Sequence, residues 1–139
     1  MIDPLKAATS IASSGLEAQS MRMRIVAENL ANMRSTGSTT GAGPYTRKTV
    51  HLAPDFDRAL GVNVVKVKSM GVDKAPFRVE HEPGNPAADA DGNVKYPNVN
   101  MTVEMADMRE ASRSYSANLQ MIKQARGMVA MTIDLLRSS

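Results

Sequence analysis

The chain holds 139 residues, with 42% hydrophobic but only 4% aromatic side chains, eleven Met, no Trp, no Cys and a net charge of +3. Without Cys it has no disulfide, no thiolate nucleophile and no Cys-held metal. Segments 1–34, 35–100 and 101–139 each carry only +1, which excludes the clustered basic face that nucleic acid requires.

The length suits one ordinary domain, or a small domain with long helical extensions. Met is unbranched and adaptable. Its abundance fits a helix that meets several neighbours and, equally, an ordinary Met-rich core. No run approaches the roughly 20 apolar residues that span a bilayer. Lys6, Glu17 and Arg22 break up the first residues, so no cleaved signal peptide is expected.

Asp3 followed by Pro4 predicts a helix start, since Asp caps free backbone N–H groups and Pro is tolerated at the first helical position. Ile2, Leu5, Thr9, Ala12, Leu16, Gln19, Met23, Val26, Leu30 and Met33 then recur at alternating spacings of three and four. That heptad stripe is the narrow seam of a helix that pairs with another helix. The helix is expected to reach about Met33, roughly 45 Å at 1.5 Å per residue. Gly15 reads as a weak spot costing about 1 kcal/mol, and Arg22, Arg24 and Arg34 as a solvated face.

Residues 35–44 are rich in Gly, Ser and Thr and read as a flexible linker. No strand precedes them and no Gly-Lys-Ser/Thr closes them, so they do not form a phosphate loop. Tyr45 to Leu52, Val62 to Val67 and Phe77 to Glu80 read as strands, with Pro54, Gly61, Gly71 and Pro76 as punctuation. Residues 45–99 thus form a small β-rich domain with an extended return segment. Asp89, Asp91 and Asn93 resemble the start of a calcium loop, which fails at its sixth position, Val94, and its twelfth, Asn100. An Asp-Gly turn is the better reading. His51 and His81 stand in no ligand or nucleophile spacing, so no metal, cofactor or catalytic site is expected and the chain is not an enzyme.

The second helix, 100–139, starts at Asn100 as N-cap, with Val103 ruling out a capping box, and spans roughly 55 Å. Met108, Tyr115, Ile122, Val129 and Leu136 recur every seven residues, with Ala111, Asn118, Ala125 and Thr132 between them. Gly127 is its weak point. The expected pairing and assembly residues are therefore Leu16, Met23, Val26, Leu30 and Met33 on one helix, and Met108, Tyr115, Ile122, Val129 and Leu136 on the other.

Ser14 to Gln19, followed by Arg22 to Asn32 with its Glu28-Asn29-Leu30-Ala31-Asn32 core, resembles the N-terminal signature of the flagellar rod and hook axial proteins. Gly92 to Asn100, with Tyr96-Pro97-Asn98-Val99-Asn100, then Glu104 to Met108 and Ala111 to Asn118, are most similar to the short proximal rod members of that family. Met33-Arg34-Ser35 departs from the family's Thr-rich turn. The resemblance implies an α+β subunit whose N- and C-terminal helices (1–34 and 100–139) pair as a coiled coil near the rod axis, with the middle domain outside. It implies a structural role in transmitting torque from motor to hook, with no cofactor and no small-molecule substrate. It also implies export by the flagellar type III apparatus to a rod in the periplasm. Expected neighbours are FlgB, FlgF, the basal-body protein FliE and further copies of the chain. Another axial rod protein such as FlgB, and a non-flagellar coiled-coil interaction protein, remain as alternatives.

Overall fold

A computed structural model of the chain describes residues 4–138. Helices α1 (Pro4–Ala31) and α2 (Met101–Ser138) bracket strands β1 (Lys48–Asp57), β2 (Val62–Val72), β3 (Arg78–His81) and β4 (Asn93–Tyr96), an α+β arrangement. Ile2 and the expected cap Asp3 lie outside the described residues. Helix α1 stops at Ala31, short of Met33. There the Asn32 side chain donates to the Glu28 carbonyl at 2.9 Å and Ser35 Oγ donates to Asn32 Oδ1 at 3.1 Å, turning the chain out of the helix. At the start of α2, Asn100 Oδ1 accepts from the backbone N–H of Thr102 at 2.9 Å and of Val103 at 3.4 Å, satisfying donors the helix leaves open.

The helices run antiparallel. A Cβ on Gly15 would lie 2.5 Å from Asn118 Nδ2, Arg22 bonds Asp107 and Glu110, and Asn29 bonds Glu104. From Gly15 through Arg22 to Asn29 on α1, the partners on α2 run back from Asn118 through Glu110 and Asp107 to Glu104. The face that α1 turns to α2 lies one residue before the stripe of Leu16, Met23 and Leu30. The reason is close approach: Gly15 lets the backbones near each other, so small and polar groups take the centre. The large apolar side chains flank it, half-buried. Gly15 is thus a contact point rather than a weak spot, and Arg22 bridges the two helices rather than facing solvent.

Strands β1 and β2 form an antiparallel hairpin from Lys48↔Val72 to Asp57↔Val62, with a bulge between His51 and Leu52. Its turn is closed by Asp57 Oδ1, which accepts from Ala59 and Leu60 N–H at 2.9 and 3.2 Å, and by Gly61 at φ 63°. Both strands outrun their expected ends, and Pro54 and Gly71 lie inside them. Pro54 pairs with Val65, whose N–H points away from β1 to Ser14 Oγ at 3.1 Å. In such a non-hydrogen-bonded pair Pro54's nitrogen also faces outward, so no ladder bond is lost. The hairpin lies along α1 with Val64 buried.

Strands β3 and β4 form a separate two-stranded sheet, Arg78↔Tyr96 to His81↔Asn93. Sequence reading gave β4 only an extended character, because four residues beside a turn carry too little alternation to stand out. The Asp91-Gly92 turn is present: Gly92 has φ 77° and Asp89 Oδ1 accepts from Asp91 and Asn93 N–H at 3.0 and 2.9 Å. The Gly-rich segment 35–44 is pinned at its ends, where Tyr45 N–H donates to the Ser35 carbonyl at 3.0 Å.

Candidate functional site

Two features stand out from the residues upward: a buried polar junction at one end of the helix pair, and an apolar helix face at the other. The junction gathers residues far apart in sequence. Asn29 and Glu104, one from each helix, are fully buried. Asn29 Nδ2 donates to the Lys48 carbonyl at 2.9 Å and to Glu104 Oε2 at 3.1 Å. Its Oδ1 accepts from Lys48 N–H and from the Tyr45 hydroxyl, both at 2.8 Å. Asn29 thereby mimics a neighbouring strand for Lys48 and uses its whole bonding capacity. Arg47 Nε donates to Glu104 Oε1, and its other nitrogens lie 3.4 Å from Asp73 and 3.8 Å from Asp107.

Asn98 completes the frame. Its Oδ1 accepts from Arg47 N–H at 2.9 Å and its Nδ2 donates to the carbonyls of Asp73 and Ala75 at 3.1 and 3.0 Å. Arg22 ties Asp107 at 3.1 Å. At the rim, Lys48 Nζ sits 2.8 Å from Glu28. The hydrogen bond from Lys48 holds the Glu28 carboxyl below its ordinary pKa, and the same bond raises Lys48. Tyr96 donates to Glu82 at 2.9 Å, and its ring lies 5.5 Å beneath the Arg78 guanidinium. Hydrogen bonds from Asn85 and then Tyr96 hold Glu82 below its ordinary pKa. Pro97 is buried.

The structure therefore brings Glu28, Asn29, Asn98 and Glu104 together, with Asn32 and Asn100 at the helix ends beside them. Arg47, Asp73 and Tyr45 belong to the same junction and were not singled out from the sequence. Arg47 falls within the alternating run Tyr45 to Leu52, and its partners lie 26 to 60 residues away. No local pattern marks such a residue. Glu104 and Arg47 bond to each other and to side chains of other elements, so the junction joins those elements. Among the described residues no cluster of His, Asp or Glu is placed to hold a metal ion.

Of the seam residues, Val26 and Ile122 are buried. Leu16, Met23, Leu30, Met33, Met108 and Tyr115 are half-buried, and Val129 and Leu136 are exposed. Every residue of α2 from Met128 to Ser138 is exposed. The row Asp107, Ser114, Met121, Met128, Leu135, seven apart, starts as an ion-pair partner of Arg22 and Arg47 and ends as bare hydrophobe. Met121, Met128, Met131 and Leu135 are 52%, 52%, 62% and 71% exposed. An apolar stretch of this kind marks an interaction surface.

A family model described as the flagellar basal body rod FlgEFG protein C-terminal region matches residues 90–135, from the turn before β4 through most of α2. Flagellar basal-body rod protein FlgC of Agrobacterium fabrum is 62% identical over 138 residues, which is 99% of each chain. The FlgC of Salmonella typhimurium is 42% identical over 90% of this chain and 92% of its own. That of Borreliella burgdorferi is 34% identical over 92% and 95%. With identity at this level carried along nearly the whole of both chains, the chain belongs to the flagellar basal-body rod protein FlgC family.

Proposed function

We propose that this subunit polymerises through its terminal helices, paired as a coiled coil, and so carries torque from motor to hook. As a FlgC-family member it is a structural subunit of the proximal rod of the flagellar basal body. The observation that carries the assembly reading is the distal part of α2, long, helical and apolar, yet exposed over its last eleven residues. A helix this exposed is not held by its own propensity, and repeated subunits would bury it cooperatively. In the free subunit the distal end of α2 frays, and it orders on joining the rod.

The neighbours we assign are FlgB, FlgF, FliE and further copies. Delivery to the periplasm runs through the flagellar type III apparatus. Supporting this reading are the family relationship and the arrangement of the two helices. In it the junction sets the angle between hairpin and helix pair, while the distal face of α2 makes the assembly contacts.

The test is the double variant Met128→Asp/Met131→Asp. Both side chains are exposed, so the purified variant should unfold within about 0.5 kcal/mol of the parent. Its incorporation into isolated basal bodies, and motility, should be lost. Normal incorporation would sink the proposal.

A further inference from the structure

The fold blocks the outer edges of the β1–β2 hairpin at several points and leaves one stretch open. On β1, Lys48 directs its N–H and C=O away from β2 to the Asn29 side chain, at 2.8 and 2.9 Å. Farther along the same edge Pro54 supplies no N–H. On β2 the outward N–H of Val65 is taken by Ser14 Oγ at 3.1 Å. Lys48 pairs with Val72 and Val50 with Met70. Because Lys48 bonds outward, its antiparallel partner Val72 also turns its N–H and C=O outward, and Met70 two residues earlier does the same. Among the described residues nothing bonds these four groups. Every residue of β2 from Lys68 to Val72 is exposed, Met70 by 61% and Val72 by 57%.

Beside this open edge lies a groove of about 360 Å³ between β2 and α1. Met21, Ile25, Met70 and Val72 form its apolar lining, with Arg24, Glu28 and Lys48 as its charged residues. Glu28 is engaged by Arg24 at 3.4 Å and by Lys48 at 2.8 Å. The nearby acid Asp73 is engaged by Arg47 at 3.4 Å. Lys66, farther along β2, is held by Asp55 at 2.6 Å. Lys68 and Lys74 are exposed, and among the described residues neither is ion-paired. These two lysines bracket the open edge, separated by roughly 20 Å of extended strand.

We infer that an extended segment of another protein adds to β2 as a third strand along Ser69–Asp73. Its alternate side chains are apolar and enter the groove, and carboxylates at its two ends meet Lys68 and Lys74. Outward donors and acceptors repeating every second residue are matched by extended backbone, whereas a helix spends its own on itself. Charge narrows the partner further. Both acids around the groove are already paired, so its surplus is cationic and a basic segment is repelled. A two-stranded hairpin is marginal on its own, and a third strand reinforces it. The site is separate from the distal face of α2 and goes beyond the assembly reading.

The probe is a capped peptide, Glu-Val-Thr-Val-Thr-Val-Glu, whose alternation favours a strand, titrated into the free full-length subunit. The amide protons of Met70 and Val72 should shift downfield, and those of Ser69 and Gly71, already in the ladder, should move little. The same peptide with Lys at both ends should bind at least tenfold more weakly. Met70→Pro removes an outward N–H and no ladder bond, so it should abolish binding with the hairpin intact. Lys68→Glu/Lys74→Glu, both at exposed positions, should reverse the preference between the two peptides. No binding of the acid-ended peptide, or an unchanged preference in the charge-reversed variant, would overturn the inference. Downfield shifts that grow with subunit concentration alone would overturn it too, showing a second copy as the occupant. None of these results bears on rod incorporation, so the assembly reading stands or falls separately.

Discussion

Replacing Asn29 with Asp changes one atom's chemistry and almost nothing of its shape. That atom lies 3.1 Å from Glu104 Oε2 and 2.9 Å from the Lys48 carbonyl, so a donor would become an anion facing two acceptors. Asn29→Asp should destabilise by about 3 kcal/mol or more at neutral pH, and Asn29→Ala by about 2 kcal/mol through lost hydrogen bonds. Urea unfolding at pH 7 measures both, and an Asp variant more stable than the Ala variant would contradict this description of the junction. The two helical glycines should behave oppositely. A Cβ on Gly15 meets Asn118, whereas one on Gly127 meets nothing within 4 Å. Gly15→Leu should cost about 3 kcal/mol by forcing the helices apart. Gly127→Ala should add about 1 kcal/mol from helix propensity, both read from thermal unfolding.

The elements show which features local sequence can carry. The Asn100 cap and the Asp91-Gly92 turn rest on residues within a few positions of each other, and both were legible. The rotation of α1 was not, because Leu16, Met23 and Leu30 form the better apolar stripe and only the approach of α2 over Gly15 turns the face by one residue. Pro54 misled for the same kind of reason. A proline breaks a central strand, but on a hairpin with a single neighbour its nitrogen points outward. Arg47 was invisible because its partners Asp73, Glu104 and Asp107 come from other elements. Electrostatics between elements also sets a pH response. Glu28 and Glu82 are held below their ordinary values by hydrogen bonds from Lys48 and from Asn85 and Tyr96. Their contribution is complete above the unfolded carboxylate pKa and is lost as pH falls through the folded values. Thermal stability should hold near neutrality and fall on acidification below about pH 4. A flat profile down to pH 3 would contradict these two contacts.

The molecule as a whole is built unevenly. At one end the hairpin, both helices and the β3–β4 segment are tied through Asn29, Arg47, Asn98 and Glu104, while at the other α2 presents Met128, Met131 and Leu135 to solvent. In the proposed assembly the first end holds the subunit's shape and the second joins its neighbours. Ile122, buried on α2, belongs to the fold as well as to the seam. Ile122→Asp should therefore lose rod incorporation together with about 4 kcal/mol of stability, unlike the exposed Met variants. The most direct measurement of the central claim is amide hydrogen exchange on the dilute subunit and on isolated basal bodies. Amides around Asn29, Lys48 and Glu104 should exchange slowly in both. Those of residues 130–138 should exchange rapidly in the free subunit and slowly in the rod. Slow exchange through the whole of α2 in the free subunit, or rapid exchange of 130–138 in the rod, would contradict it.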